Sequence, residues 1–224
     1  MKAPVIAIDG PAGAGKSTVS RALARVLGFR YVDTGAMYRV VGVVAHERGI
    51  DLSDTTALGR LCDELDIVFE DRADGIHTIV EGRDLSTTIR TAAAGQLASK
   101  VSTVPLVREH LVAKQRAMGA AGGVVMEGRD IGTVVFPNAP VKVYLIASAQ
   151  ERARRRCAEL AGRGEAADVA AIAREIAERD ERDQSRAHSP LRPAEGAHVI
   201  DTTGQSVEAV VARLQELVAS VCRA

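Results

Sequence analysis

The chain alternates short apolar runs with longer stretches in which apolar residues recur every three or four positions. The first run covers residues 4–8, and helical spacing follows up to Leu27, where Gly28 predicts the end of a helix. Wholly apolar runs return at residues 123–126 and 141–147, as in strands buried on both faces of a parallel sheet. Strands that alternate with helices predict an α/β fold around a parallel sheet.

The segment of residues 50–90 has a different pattern. Two stretches of alternating apolar and polar residues, at 66–70 and 76–81, flank the polar residues 71–75 and predict a small antiparallel hairpin. The remaining predicted elements are strands at 29–32 and 197–201 and helices at 36–48, 53–65, 91–101, 105–118, 168–186 and 206–221, with a charged helix directly after Ser148.

The composition excludes several classes of protein. Among 224 residues, 29 Lys and Arg balance 29 Asp and Glu, and 46% of the residues are hydrophobic. A chain of this size is expected to form one globular domain, without the basic surplus of proteins that coat nucleic acids or acidic membranes. The apolar runs are too short for a membrane span or a signal peptide, and three cysteines without metal-ligand spacing fit a reducing cytoplasm.

A glycine-rich segment carries the strongest chemical signal. Residues 10–17 read Gly-Pro-Ala-Gly-Ala-Gly-Lys-Ser, the Walker A pattern, between a predicted strand and a predicted helix. Glycine lets backbone amides approach a polyphosphate, Lys16 brings positive charge to the outer phosphates, and the Ser17 hydroxyl suits Mg2+. The predicted nucleotide-binding residues are Gly10, Pro11, Ala12, Gly13, Ala14, Gly15, Lys16, Ser17 and Thr18.

Basic residues are skewed toward arginine, with 24 Arg against 5 Lys. The skew is typical of a GC-rich genome, but guanidinium groups also suit multiply charged anions. Outside the glycine loop, three segments place arginine beside other polar residues: residues 33–39 (Asp-Thr-Gly-Ala-Met-Tyr-Arg), 128–130 (Gly-Arg-Asp) and 178–186. The second follows an apolar strand, at the sheet edge where α/β proteins bind ligands, and Thr34 in the first is predicted to cap a helix.

These arginines also have structural interpretations. Arg39 fits a solvated helix residue, Arg129 fits an ion pair with Asp130 or Glu127, and residues 152–156 fit a charged helix face. Arg179, Asp183 and Arg186 have the spacing of a helical salt-bridge ladder. Residues 81–84 repeat the Glu-Gly-Arg-Asp of residues 127–130 but follow a half-exposed strand, so they receive no functional role.

Together, these segments resemble the bacterial cytidylate kinases over the whole chain. The resemblance rests on the Walker A loop, residues 33–39, the sequence Gly-Arg-Asp-Ile-Gly-Thr-Val-Val-Phe-Pro at 128–137, and residues 178–186 with Ser-Pro-Leu at 189–191. It implies a P-loop NTPase fold with a central parallel five-stranded sheet. The implied reaction is transfer of the γ-phosphoryl group of ATP to CMP or dCMP, with Mg2+ bound with ATP and Ser17 as its protein ligand.

The resemblance also implies roles for individual residues. Lys16, Arg39, Arg129 and Arg186 would act on the transferred phosphoryl group, and Arg155 and Arg156 would join the glycine loop in binding ATP. The implied CMP site comprises Thr34, Arg39, Ser99, Arg108, Arg129, Asp130, Arg179, Asp183 and Arg186. Within it, Ser99, Arg108 and Asp130 would read the cytosine edge, and Arg179 and Asp183 would contact the ribose.

The implied organisation is one kinase domain over residues 1–224. Its core would comprise residues 1–35, 98–148 and 166–224, with a monophosphate-binding region at 36–97 and a lid at 149–165. We expect a cytoplasmic monomer that acts on small molecules, without nucleic-acid or membrane partners. Two alternatives stay open: a kinase for another acceptor, such as UMP or AMP, and a nucleotide-switched regulatory ATPase.

Overall fold

The computed structural model describes residues 3–162, 164, 168–186 and 189–223. Its strands are β1 (Val5–Asp9), β2 (Arg30–Asp33), β3 (Ile67–Arg72), β4 (Gly75–Val80), β5 (Arg83–Asp84), β6 (Val124–Gly128), β7 (Val141–Ile146) and β8 (His198–Asp201). Its helices are α1 (Lys16–Leu27), α2 (Thr34–Glu47), α3 (Thr55–Glu64), α4 (Ala92–Val101), α5 (Pro105–Gly119), α6 (Ala149–Ala161), α7 (Val169–Ser185) and α8 (Val207–Arg223). A 3-10 turn covers Thr88–Arg90 and a π-helical turn covers Ile131–Val135.

The chain forms two compact units, of which the first comprises Met1–Tyr31 and Ala121–Ala224. Its five-stranded sheet has the order β2-β6-β1-β7-β8, and β1 pairs in parallel with both β6 and β7. Large buried side chains from strands and helices form its core, including Ile6, Ile8, Leu23, Met126, Leu145 and Ile200. Each such side chain contributes about 1.5–3 kcal/mol when fully buried. The predicted α/β fold with a central parallel sheet is confirmed.

The second unit, Val32–Ala120, contains α2 to α5 and an antiparallel sheet of order β3-β4-β5. Its core packs apolar residues of the helices with the inward faces of β3 and β4. The predicted hairpin is confirmed, with a shorter turn than expected because β3 continues to Arg72 and β4 starts at Gly75. Strand β5 was not predicted, since two residues carry no alternating pattern and only their pairing with β4 defines them.

Helix ends show where local sequence decides structure. Gly28 ends α1 in the left-handed conformation, as predicted. The predicted Thr34 cap is wrong: Asp33 is the N-cap, and its Oδ1 accepts a hydrogen bond of 2.9 Å from the Ala36 amide. Thr34 is instead the first helical residue and is buried. Aspartate caps helices at least as well as threonine, and the backbone is extended at Asp33 but already helical at Thr34, so Asp33 is the residue that caps.

The predicted monophosphate-binding region, residues 36–97, lies within the second compact unit, which extends further on both sides. The predicted lid, residues 149–165, includes α6, while residues 163 and 165 lie outside the described part. Both functional boundaries stay predictions. In the part of the chain that the structure describes, no helix has the length and apolar character needed to cross a bilayer.

Candidate phosphoryl-transfer site

The glycine loop connects the end of β1 to the start of α1 in the centre of the sheet. Gly10 has φ of +146°, and a Cβ atom there would lie 2.1 Å from the carbonyl oxygen of Leu145. Gly13 and Gly15 also have positive φ, and a Cβ on Gly13 would lie 2.9 Å from that of Arg152. The backbone conformation therefore favours glycine at all three positions, and close packing requires it at Gly10 and Gly13.

Lys16 is buried at the first position of α1, and its Nζ donates a 2.7 Å hydrogen bond to the Pro11 carbonyl oxygen. Burial, assisted by the positive charge of Arg129, lowers the pKa of Lys16 to about 7, while Glu127 and Asp9 act in the opposite direction. A bound polyphosphate would favour the charged ammonium, because an opposite charge raises the pKa of an amine. The loop thus holds a lysine whose charge responds to an anionic ligand.

Next to the loop, Arg129 links three parts of the chain. Its Nε donates to Asp183 Oδ2 at 2.9 Å, and its Nη1 donates to the Gly10 carbonyl oxygen at 3.0 Å. Arg186 Nη2 donates to the other oxygen of Asp183. Burial alone would raise the pKa of Asp183, but Arg129 and Arg186 outweigh it and hold the pKa below its ordinary value. The first unit therefore places two predicted phosphate-binding arginines on one buried carboxylate, beside the glycine loop.

These contacts differ from the purely structural roles that the sequence allowed for Arg129 and for the charged residues of α7. The structure shows an ion pair of Arg129 with Asp183 of α7, a residue distant in sequence. The i,i+3 pair of Asp183 and Arg186 is present, but it is buried, so it is not a solvated surface ladder. Arg179 is half-buried on the same helix, and its charge acts on both Lys16 and Asp183.

The arginines of α6 have different environments. Arg155 lies against the glycine loop, and its guanidinium donates to the Thr202 hydroxyl at 2.9 Å and to the Thr202 carbonyl at 2.6 Å. Arg152 is buried and donates to the Ala12 carbonyl and to Asp180. Arg154 is exposed, and Arg156 pairs with Glu159 at 2.7 Å. The solvated-face interpretation therefore fits Arg154 but not Arg152 or Arg155.

Three site residues were not found from the sequence, and a fourth, Arg152, was predicted only as part of the lid helix. Asp9 and Glu127 are buried carboxylates at the ends of β1 and β6, and their charges act on Lys16. Arg152 and Thr202 touch the glycine loop through the Ala12 and Ala14 carbonyl oxygens. The only signal for the carboxylates was their position at the end of an apolar run, because contacts between distant segments leave no local pattern.

The second unit carries four further predicted substrate residues. Arg39 is half-buried on α2, and Thr34, Ser99 and Arg108 are buried. The Arg108 guanidinium lies 5.9 Å from the centre of the Tyr38 ring, within the range of a cation–π contact. The repeated Glu-Gly-Arg-Asp at 81–84 is an exposed part of this unit.

A Walker A loop after the central strand of a parallel sheet, with a buried lysine and an arginine bound to its first carbonyl, defines a P-loop NTPase fold. A sequence profile of the family described as "Cytidylate kinase" matches residues 6–220. The chain belongs to the cytidylate kinase family.

Individual relatives agree with this assignment. The chain is 52% identical to a cytidylate kinase of Pelotomaculum thermopropionicum, over 93% of this chain and 92% of the relative. It is 49% identical to a cytidylate kinase of Pseudomonas aeruginosa (strain UCBPP-PA14), again over 93% and 92%. Among solved structures, an uncharacterized protein from Eubacterium ventriosum has a TM-score of 0.55 at 10% identity, covering 97% of this chain and 99% of that one. This last likeness concerns the fold alone.

Proposed function

We propose that this chain transfers the γ-phosphoryl group of ATP to CMP or dCMP, giving ADP and CDP or dCDP. The observation that carries the proposal is the position of Arg129, which binds the first residue of the glycine loop and the buried Asp183 at once. The Arg129 guanidinium therefore contacts the glycine loop, which is predicted to bind ATP, and at the same time contacts Asp183, which is predicted to bind CMP. Membership of the cytidylate kinase family supports the choice of acceptor.

In the proposed reaction, a phosphate oxygen of CMP attacks the γ-phosphorus of ATP while the bond to the β–γ bridging oxygen breaks and ADP leaves. The attacking oxygen is already anionic, so the site needs no strong general base. It needs to hold two polyanions together and to stabilise the charge on the transferred group. Lys16 and Arg129 lie at the glycine loop and supply positive charge there.

We further propose that Mg2+ binds with ATP and that Ser17 is its protein ligand. Ser17 is exposed at the start of α1, and a hydroxyl oxygen is a ligand type that Mg2+ accepts. When bound, the ion neutralises charge on the phosphates. The fit rests on this donor chemistry and on the position of Ser17 directly after Lys16.

The remaining residues keep the roles that the resemblance implies, as proposals. Arg39, Arg129 and Arg186 bind the acceptor phosphate and the migrating group. Ser99, Arg108 and Asp130 read the base, Arg179 and Asp183 hold the ribose, and Thr34 contributes to the same site. Arg155 and Arg156 belong to a lid over ATP. We also propose that the protein acts as a monomer in the cytoplasm.

The proposed function is tested by ADP release in a coupled assay with CMP, dCMP, UMP and AMP as acceptors. We expect turnover with CMP and dCMP, much weaker turnover with UMP and AMP, and loss of turnover when Mg2+ is chelated. Equal turnover with all four acceptors would contradict the proposed specificity. Hydrolysis of ATP at the same rate without any acceptor would favour the regulatory ATPase instead.

Replacing Asp130 with alanine is expected to reduce the preference for CMP over UMP. Asp130 is buried at the N-cap of the π-helical turn, two residues after β6 ends. A carboxylate accepts a hydrogen bond from the N4 amino group of cytosine, whereas uracil presents an acceptor at the same position. A buried polar group left unpaired costs about 1–3 kcal/mol, so the preference should fall by at least about five-fold.

The matched control is Asp84→Ala, which changes the aspartate of the repeated Glu-Gly-Arg-Asp. Asp84 pairs with His77 in the hairpin of the second unit. The ratio of kcat/KM for CMP to that for UMP is expected to stay at the wild-type value in this control. An unchanged ratio in Asp130→Ala would rule out the proposed role.

Replacing Arg155 with glutamine is expected to raise KM for ATP by about ten-fold, since a hydrogen bond to a charged group contributes about 1.5–3 kcal/mol. The guanidinium lies against the loop at Gly15. Arg154→Gln is the control, because Arg154 shares the partner Glu151 but its side chain is 68% exposed. KM for CMP should stay unchanged in both variants. Equal KM values for ATP in the two variants would contradict a role of Arg155 in ATP binding.

A further inference from the structure

Asp9 lies at the end of β1, immediately before the glycine loop, and only 3% of it is exposed. In the sheet it lies beside Gly128 of β6 and Tyr144 of β7. Aspartate is rarely buried to this extent unless its charge is compensated. The groups that compensate the charge of Asp9 must therefore lie among its neighbours in the fold.

Two consecutive backbone amides bind the Asp9 carboxylate. The Ile131 amide donates to Oδ1 and the Gly132 amide donates to Oδ2, each at 2.8 Å. These amides open the π-helical turn that directly follows Asp130. Because each oxygen has its own donor, the contact fixes both the distance and the orientation of this turn relative to β1.

A second connection joins the same two segments. Arg129 donates to the carbonyl oxygen of Gly10, the residue that follows Asp9. The segment is therefore bound to the end of β1 at Arg129 itself and again directly after Asp130. The amides after Asp130 bind the Asp9 side chain, and the side chain before it binds the Gly10 backbone.

We propose that Asp9 is a positioning residue, which holds the segment 129–132 against the start of the glycine loop and so places Arg129 and Asp130 for phosphoryl transfer and base selection. This inference rests on the proposed function, because it assigns Arg129 and Asp130 their tasks. Asp9 itself touches backbone amides and needs no contact with substrate.

The charge of Asp9 gives this contact a pH dependence. Burial, with a smaller contribution from the charge of Asp130, raises the pKa of Asp9 to about 6 against the opposing effects of the two amides and Lys16. The other ionisable groups next to it are Glu127 and Arg129 on the β6 side and Tyr144 on β7. Protonation converts one acceptor oxygen into a hydroxyl, so the two-amide contact requires the ionised form.

The first test uses the ligand-free protein and needs no activity. The backbone amide signals of Ile131 and Gly132, followed by NMR, are expected to shift with a midpoint near the Asp9 pKa of about 6. Two internal controls exist, because the Ser53 and Thr203 amides bind the carboxylates of Asp51 and Asp201 at 2.8 Å.

Hydrogen bonds from Ser53 and Thr203 hold the pKa values of Asp51 and Asp201 below the ordinary range, so the control amides should shift only at lower pH. Amides of Ile131 and Gly132 that stay constant over the whole titration, while the control amides shift, would overturn the proposal. Since this test uses the wild-type chain, it decides the matter even if a variant does not fold.

The second test uses Asp9→Asn. Asparagine keeps one acceptor oxygen but turns its NH2 group toward the other amide, so the contact is halved. We expect kcat/KM for CMP to fall roughly ten-fold, since small displacements of positioned groups reduce catalysis strongly. The preference for CMP over UMP should fall with it, because Asp130 is no longer held.

The pH profile separates positioning from a general loss of stability. The CMP phosphate itself titrates near pH 6, so each variant is compared with wild type at the same pH. The ratio of variant to wild-type kcat/KM should rise toward one below about pH 6, where wild type also loses the ionised carboxylate. Ile6→Val, a core change in the same strand, is the control and should give a ratio near one at every pH.

A ratio for Asp9→Asn that does not depend on pH, together with wild-type preference for CMP, would overturn the proposal. If wild type does not phosphorylate CMP, the proposed function fails instead. The same comparison is then made with the acceptor that the enzyme uses, and the amide titration still decides whether Asp9 holds the turn.

Discussion

Lys16→Met is expected to lower kcat by about 10³-fold with CMP or dCMP as acceptor. The Lys16 ammonium belongs to the loop structure, since it is buried and bonded to the Pro11 carbonyl. Methionine keeps an unbranched apolar stem of similar length but brings no charge to the outer phosphates. Charge on the transferred group is stabilised by cations fixed in place before the reaction, so their loss acts on kcat more than on folding.

Melting temperatures show whether the variant is still folded. The pKa of Lys16 is lowered to about 7, so the folded protein releases a proton that the unfolded chain keeps until its ordinary pKa of 10.5. Wild-type stability from this group therefore rises with pH between these two values. Methionine does not titrate, so Lys16→Met lacks this pH dependence. The melting temperature of the variant minus that of wild type should therefore be larger at about pH 7 than at about pH 9.

The control for Lys16 is Lys142→Met on β7 of the same unit. Lys142 also donates to a backbone carbonyl, that of Pro137 at 3.0 Å, but outside the glycine loop. Its kcat should stay within about two-fold of wild type, because surface changes away from a site have small effects. Wild-type turnover in Lys16→Met would contradict the assignment of the loop to ATP.

Arg129→Lys is the second change with a large expected effect, a fall in kcat of about 10²-fold or more. The arginine binds Asp183 through Nε and the Gly10 carbonyl through Nη1. Lysine carries the same charge on a single nitrogen, so it cannot reproduce both contacts and still face a phosphate. Steady-state kinetics with varied CMP and varied ATP should show the loss mainly in kcat.

Arg129→Met should in addition reduce the free energy of unfolding. Removing one partner of a buried ion pair costs about 3–5 kcal/mol, and Arg186, which still pairs with Asp183, keeps the loss at the lower end of this range. Denaturant titration measures the loss. Greater stability in Arg129→Met than in wild type would show that the pair with Asp183 is not a stabilising contact.

The repeated Glu-Gly-Arg-Asp supplies the control for Arg129. Arg83 occupies the equivalent position and pairs with Glu47 at 3.1 Å, with 57% of its side chain exposed. Exposed pairs contribute about 0–1 kcal/mol, so Arg83→Lys and Arg83→Met should leave kcat and stability nearly unchanged. Equal kinetic losses at the two arginines would contradict the distinction between the repeats.

The comparison of these two repeats shows how far local sequence could predict the site. Both contain the same four residues, and the apolar strand before residues 127–130 correctly favoured that copy as the one near the sheet edge. The partner of Arg129 could not be found in the same way. Asp183 lies on α7, 54 residues further on, and only packing of α7 in the first unit brings its carboxylate to the arginine.

The helix cap at the start of α2 and the π-helical turn show the same limit of local sequence for backbone structure. The sequence Asp-Thr-Gly predicted a helix start there with Thr34 as its cap, but the backbone conformation at the junction makes Asp33 the cap. The π-helical turn has no local signal, because its first two amides are held by Asp9 from a distant strand.

The amino-acid order alone determined the alternation of strands and helices, the glycine loop with Lys16 and Ser17, and the family, because periodicity, glycine spacing and short motifs are local properties of a chain. Only the tertiary structure decided which charges meet. Asp9, Glu127, Arg152 and Thr202 became part of the site through contacts across many residues, and burial there shifts the pKa values of Asp9 and Lys16 toward neutrality. Burial and charge pairing depend on the folded surroundings of a residue, and no local pattern encodes them.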